Sequence, residues 1–285
     1  MKAPQSPYDF QLTLRVMNSY SKAAGVKVDS LQIGALISRK PVVLTVRTKD
    51  NSNELEIISS PSQPPAEVEA IVRWVIFADL GLQPFYELAS AHPVFGRVIK
   101  DLAGLKPMRP ASLFEMAVIV ITEQQISLAA ANHIHSRLVA RYGDLVEGVW
   151  VFPDAELLAG ATPEDLRACG YSQRKAEYIL EFARKVDDGR LDLEALKVLP
   201  DEAVRSTLTA LRGWGPWSAN YFLVRGLARP DCLPADDLAI GAVVGRYLGD
   251  GSRASAGQVE QLLAPFTPYR GIAAFYLEAH ARLFG

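Results

Sequence analysis

Asp236 and Asp237 stand directly before the apolar run Leu238-Ala239-Ile240-Gly241-Ala242-Val243-Val244. An acid there is an N-cap, its carboxylate accepting the free amides of the first helical turn. One of the pair suffices for that. A second carboxylate at the same helix start can face a cleft, where it stabilises developing positive charge and orients or activates a water. Upstream lies Leu208-Thr209-Ala210-Leu211-Arg212-Gly213-Trp214-Gly215-Pro216-Trp217-Ser218-Ala219-Asn220-Tyr221. The spacing predicts a helix ending near Ala210, a turn through Gly213-Trp214-Gly215 and a new helix near Pro216, where a missing N–H has no intrahelical partner to lose. Glycines two apart let the backbone approach something bulky or charged. Free amides and the dipole at the next helix start make an anion site that a nucleic-acid phosphate fits. The same turn is equally a plain corner whose glycines relieve strain. From Ala203 to Pro230 there are four arginines (Arg205, Arg212, Arg225, Arg229) and no acid, a local positive run suited to phosphates.

The elements that must carry these residues come in two styles. Tyr8, Phe10, Leu12, Leu14 and Val16 alternate with polar residues, which predicts a half-buried strand. Further strands are expected at 31–37, 42–47 and 54–58, with a polar link over Lys49-Asp50-Asn51-Ser52-Asn53, and a helix at 65–78 presents Val68, Ile71, Val72 and Val75 on one face. From about 86 onward nearly every segment reads as helix, including 112–142, 163–169, 173–188, 201–210, 218–227, 237–248, 255–263 and 271–284, joined by short Gly- and Pro-marked links. No repeat or low-complexity tract interrupts them.

The 285 residues suggest about two domains, with 49% apolar and 22% charged side chains, ordinary for a globular chain. No run reaches the ~20 apolar residues of a membrane span, and the polar start Met1-Lys2-Ala3-Pro4-Gln5-Ser6-Pro7 is expected not to be a secretory signal. Two cysteines, Cys169 and Cys232, exclude a disulfide framework and suit a reducing interior. Thirty basic against 32 acidic side chains, net −2, argue against a uniformly basic nucleic-acid binder but not against a narrow basic rim. His133 and His135, two apart on a helix, face different directions and are not expected to bind a metal.

Leu211-x-Gly213-x-Gly215-x-Trp217-Ser218-Ala219 resembles the hairpin of the helix-hairpin-helix DNA glycosylases. Arg225-Gly226-Leu227 and Leu233-Pro234-Ala235-Asp236-Asp237-Leu238 resemble that family's arginine-glycine segment and its loop to the catalytic aspartate, and Ile121-Thr122-Glu123-Gln124-Gln125-Ile126-Ser127 its minor-groove wedge loop. A β-rich segment ahead of the helices, and Pro7-Tyr8-Asp9-Phe10, are similar to the AlkA type. The likeness is strong over 109–240, fair over 241–285 and architectural over 1–88.

The resemblance implies an α+β fold. A small antiparallel β-sheet domain (1–87) precedes a mostly α-helical glycosylase region in two lobes, one over 112–229 with the hairpin, the other combining 88–111 and 230–285. It implies a glycosylase of base excision repair that flips and hydrolyses alkylated purines, of the 3-methyladenine and 7-methylguanine type, from double-stranded DNA. Asp237 would be catalytic, with Asp236 the cap or a neighbour supporting it. Trp217, at the place of a Schiff-base lysine in bifunctional relatives, implies a monofunctional enzyme without AP-lyase activity, and no lysine occurs from 198 to 285. Trp217 is equally a core residue or a pocket wall that attracts a cationic base. Tyr221, Glu278 and Arg282 would line the base pocket, Glu278 replacing an aromatic residue, and Glu278 and Arg282 could instead form an i, i+4 ion pair. Tyr8, Phe10 and Val16 are weaker pocket candidates. Gln125, with Gln124, would be the DNA wedge; the AlkA type uses an apolar one. Gly213, Gly215, Trp214, Ser218 and Arg212 would bind phosphate. No cofactor is required, but backbone carbonyls of Thr209, Leu211 and Trp214 would hold a structural monovalent cation, Na or K. The partner is damaged duplex DNA, with no membrane, and the protein is expected to be an intracellular, cytoplasmic monomer, nucleoid-associated if prokaryotic. Two alternatives stay open: a glycosylase for deaminated, etheno-modified or oxidised bases, and a non-catalytic DNA-binding module.

Overall fold

The computed structural model describes residues 1, 4, 7–20, 27, 29–49 and 54–285. The polar link of residues 50–53 lies outside them. The first element corrects the expected strand: Phe10–Tyr20 is a helix, α1. Asp9 starts it by accepting the Leu12 amide on Oδ1 at 2.8 Å. Phe10 and Leu14 satisfy a period of two and of 3.6 alike. The helix then buries Thr13, which alternation assigned to solvent. Val16 packs into the cluster formed by the C-terminal helix.

Strands β1 (Ser30–Ile37), β2 (Lys40–Thr48) and β3 (Leu55–Ser60) form an antiparallel sheet in that order, with Ile33 opposite Leu44 and Val46 opposite Ile57. Leu31, Ile33, Ala35 and Ile37 point inward. Helix α2 (Pro65–Val75) covers that sheet with Val68, Val72 and Val75.

The remaining helices are α3 (Gln83–Ser90), α4 (Pro93–Asp101), α5 (Leu113–Glu123), α6 (Leu128–Tyr142), α7 (Ala155–Ala159), α8 (Pro163–Ala168), α9 (Gln173–Asp187), α10 (Asp201–Thr209), α11 (Pro216–Tyr221), α12 (Leu238–Leu248), α13 (Ala256–Leu263) and α14 (Arg270–Phe284). The single helix expected over 112–142 is broken between α5 and α6, where Gln125 adopts φ 56° and Ser127 caps α6 on the Ala130 amide. A hairpin of β4 (Asp144–Val146) and β5 (Val149–Val151) was not foreseen. Its three-residue strands are too short to show alternation. It packs on β1 so closely that a Cβ on Gly34 would lie 2.2 Å from the Trp150 carbonyl.

The buried apolar residues form three clusters. One joins β1–β3 and α2 with Phe10 and Leu14. One runs from Leu113 to Cys232 around α5, α9 and α11. One combines Leu82–Leu105 with Leu233–Ala279. The chain thus leaves the third cluster after α4, builds the second and returns to the third at Leu233, and both crossings border the cleft described next.

Candidate active-site cleft

A cleft of ≈ 1510 Å³ opens where these clusters meet. Asp237 stands at the start of α12. Its Oδ1 accepts the Ala239 and Ile240 amides at 2.8 and 3.1 Å, and its Oδ2 accepts the Trp217 indole Nε1–H at 2.8 Å. One carboxylate therefore caps the helix and faces the cleft, whereas Asp236 is exposed and does not cap. With both oxygens held, the carboxylate is fixed in orientation before any ligand arrives. Trp217 stacks on Tyr221, ring centroids 5.1 Å apart at 16°, so the two rings form one flat aromatic wall.

Opposite them α14 contributes Phe275, Glu278 and Arg282 to the lining, and α5 contributes Glu123 from its last turn. Burial pushes the Glu278 carboxyl up to about 7, with the nearby Asp237 charge acting in the same sense and Arg225 and Arg282 opposing. Burial likewise raises Glu123, and burial and then Glu123 raise the Tyr221 hydroxyl well above its ordinary range. Arg225 follows α11 on the π-helical turn Phe222–Gly226, a local widening of the helix that re-aims its side chains. Its guanidinium donates to the Met108 carbonyl at 3.2 Å and lies 5.7 Å from the Phe275 ring. Arg282 lies over the Tyr20 ring, 4.1 Å from its centroid, and no ion pair joins it to Glu278 among the described residues. Helix α1 brings Met17 and Tyr20 to the cleft. The strand reading pointed instead to Tyr8, Phe10 and Val16, of which Phe10 and Val16 sit in apolar clusters. A helical count was the signal that would have found them, since Leu14, Met17 and Tyr20 follow one another at i, i+3 within the helix that Asp9 starts.

The hairpin forms the cleft's rim. Gly213 has φ +85°, and a Cβ there would lie 2.2 Å from the Tyr178 ring, so only glycine fits. Nothing stands within 4 Å of a Cβ built on Gly215, so that glycine's face is open to an approaching group. Trp214 is turned inward, 6% exposed, stacked on Phe182 at 5.5 Å. Ser218 is buried and accepts a hydrogen bond from Gln124 Nε2 at 3.0 Å, while the same amide donates to the Gly213 carbonyl at 2.9 Å. Gln124 thus ties the α5–α6 loop to the hairpin, and Gln125 and Ile126 are the exposed tip. Lys175 on α9, which the sequence reading missed, donates to the Thr122 and Gln124 carbonyls at 2.7 and 2.6 Å and closes the end of α5. Nothing in its sequence neighbourhood marks it, because its partners lie about fifty residues away.

The arginine run is not unopposed in space. Arg205 pairs with Glu202, Arg212 with Glu177 (2.7 Å) and Arg229 with Asp201 (3.3 Å). The acids come from outside the 203–230 window, one of them from another helix, α9. The Thr209 and Trp214 carbonyls accept no hydrogen bond among the described residues, and the Leu211 carbonyl accepts only the Trp214 amide at 3.1 Å. Oxygen donors of this kind, one of them at a helix C-terminus, suit a hard monovalent cation. No cluster of three or more His, Cys, Asp or Glu able to hold a metal occurs among the described residues. His135 instead stacks on Phe152 at 5.3 Å with Glu115 3.9 Å away, and burial drives the pair to neutral forms, the histidine down to about 4 and the acid up to about 8. Both cysteines are free and buried. No helix among the described residues is long and apolar enough to cross a membrane.

A β-sheet ahead of two helical clusters, a glycine hairpin at the rim and a fixed carboxylate at the cleft mouth define a helix-hairpin-helix repair architecture. The family model for the HhH-GPD superfamily base excision DNA repair protein matches residues 118–268. The chain is 32% identical to the DNA-3-methyladenine glycosylase of Bacillus subtilis, over 73% of this chain and 71% of that one. It is 27% identical to DNA-3-methyladenine glycosylase 2 of Escherichia coli, over 83% of each. Among solved structures, a 3-methyladenine DNA-glycosylase from Archaeoglobus fulgidus superposes with a TM-score of 0.86 at 24% identity, covering 100% of this chain and 99% of that one. The chain belongs to the HhH-GPD superfamily of base excision DNA repair proteins.

Proposed function

We propose that the protein is a monofunctional DNA glycosylase that extrudes an alkylated purine from duplex DNA and hydrolyses its N-glycosidic bond. The observation that carries this reading is Asp237, held by two helix amides and the Trp217 indole at the mouth of a cleft walled by stacked aromatic rings. The bond is shielded in the base stack, so the nucleotide must leave the helix first. Gln125, with Ile126 beside it on the exposed loop tip, enters the gap. The Gly213 and Gly215 backbone approaches a phosphate, and a bound Na or K, held by the Thr209, Leu211 and Trp214 carbonyls, would supply positive charge toward it. The Trp217–Tyr221 wall attracts a cationic alkylpurine. When the C1′–N bond breaks, its electron pair passes to the base, neutralising it. The Asp237 carboxylate stabilises the positive sugar, and water adds to C1′ with its proton leaving through Asp237 or solvent.

The carboxylates Asp237 and Glu123 and the half-buried Glu278 favour a positively charged guest. The strand remains uncut in this reading because Trp217 stands where a Schiff-base lysine would be needed. The lysine of the cleft lining, Lys175, is turned into two backbone carbonyls. The division into residues 1–87, 112–229, and 88–111 with 230–285 agrees with the three apolar clusters in outline, but the third cluster begins at Leu82 and takes in Val16, so the first boundary falls before α3. The protein acts as an intracellular monomer on damaged duplex DNA. Incubation with a methylated duplex tests the reading. Free methylpurine is released and the strand breaks only after alkali treatment; nicking without alkali, or a borohydride-trapped protein–DNA adduct, contradicts it.

A further inference from the structure

Glu278 is a polar group to which the hydrolysis above assigns no proton transfer. It lines the cleft from the middle of α14 and makes no hydrogen bond or ion pair among the described residues. A half-buried carboxyl without a partner is unfavourable unless it is neutral or a ligand satisfies it. The groups around it are Asp237 at the start of α12, Glu123 at the end of α5, Arg225 and Tyr221 from the hairpin side, Tyr20 on α1, and Arg282 on its own helix. Two carboxylates and two guanidiniums leave its protonation balanced, and burial brings its titration to about 7.

We infer that Glu278 selects the base. Protonated, it donates to a neutral purine and passes its proton to the ring as the bond breaks; ionised, it holds a cationic alkylpurine. The inference rests on the glycosylase reading and deepens it. A cationic purine needs no proton, because the electron pair of the breaking bond cancels its charge. A neutral purine leaves as an anion unless a ring nitrogen is protonated. The Glu278 proton moves to that nitrogen, the C1′–N9 pair moves onto the base, water adds to C1′, and the water's proton returns the lost one to the carboxyl side of the cleft. The products are a neutral free base and an abasic sugar, with no net change in protons. Below pH 7 the acid is present and neutral purines are favoured. Above pH 7 it is lost and cationic ones are favoured.

The test is the single-turnover release of hypoxanthine and of 3-methyladenine from matched duplexes between pH 6 and 8.5, with wild type and Glu278→Gln. For wild type the hypoxanthine to 3-methyladenine rate ratio falls by at least about tenfold across the range, most steeply around 7. In Glu278→Gln the ratio is flat. A wild-type ratio that does not change with pH overturns the inference, and needs no variant to fold. So does the same slope persisting in Glu278→Gln, or no hypoxanthine release at any pH while 3-methyladenine is released. If wild type releases neither base, the glycosylase reading itself fails.

Discussion

The hairpin rim and the base pocket meet the same ligand but carry their charge in opposite ways. Around the hairpin, three of the four arginines between 203 and 230 already face carboxylates: Arg212, in the hairpin itself, faces Glu177, and Arg205 and Arg229 face Glu202 and Asp201 at the start of α10. In the pocket, Asp237, Glu123 and Glu278 converge on one region with Arg225 and Arg282, and Glu278 has no ion-pair partner among the described residues. A rim of compensated charges gives a modest pull on phosphates that can release between sites. A pocket with a half-buried carboxyl that lacks a direct partner discriminates by the charge of the base. Grip and selection thus reside in different parts of the molecule, and the near-neutral total of 30 basic against 32 acidic groups describes neither.

Three substitutions break or sharpen that contrast. Trp217→Phe keeps the aromatic wall but removes the Nε1–H that holds Asp237 Oδ2. A hydrogen bond to a charged group is worth roughly 1.5–3 kcal/mol, so single-turnover methylpurine release falls about 10–100-fold with little change in DNA affinity. Gly213→Ala acts on the rim. The φ of +85° and the Tyr178 ring 2.2 Å from the new Cβ disfavour it by about 2 kcal/mol. The melting temperature falls by several degrees and affinity for undamaged duplex weakens by about tenfold, while the pH dependence of the chemical step is unchanged. Glu177→Gln has the smallest effect and the opposite sign. It frees Arg212 for phosphate, so duplex affinity rises about two- to threefold with a steeper salt dependence.

The hairpin was legible because its chemistry is local: glycines two apart and a proline at the helix start occupy consecutive positions. The sheet was legible for the same reason, since Leu31, Ile33, Ala35 and Ile37 alternate cleanly. α1 was misread because four apolar residues fit two periods over so short a span, and Asp9's cap decided between them. The charge of the rim was misread because Glu177 meets Arg212 across 35 residues. The roles of Gln124 and Lys175 were hidden for the same reason, as each bonds to groups on a distant element. Asp237 was legible as a helix-start acid next to a second one. That a single carboxylate caps α12 and also faces the cleft appears only when Trp217 is folded against it.

The central claim is that chemistry resides in the pocket carboxylate and grip in the rim. Release of 7-methylguanine from a duplex at saturating protein, compared between wild type and Asp237→Asn, tests it most directly. Asparagine keeps the shape and an oxygen for the helix cap but removes the charge that stabilises the sugar. The predicted result is a rate lowered by about 10³-fold, near 4 kcal/mol, with duplex affinity within a few-fold of wild type. An Asp237→Asn protein that releases the base at the wild-type rate contradicts the account.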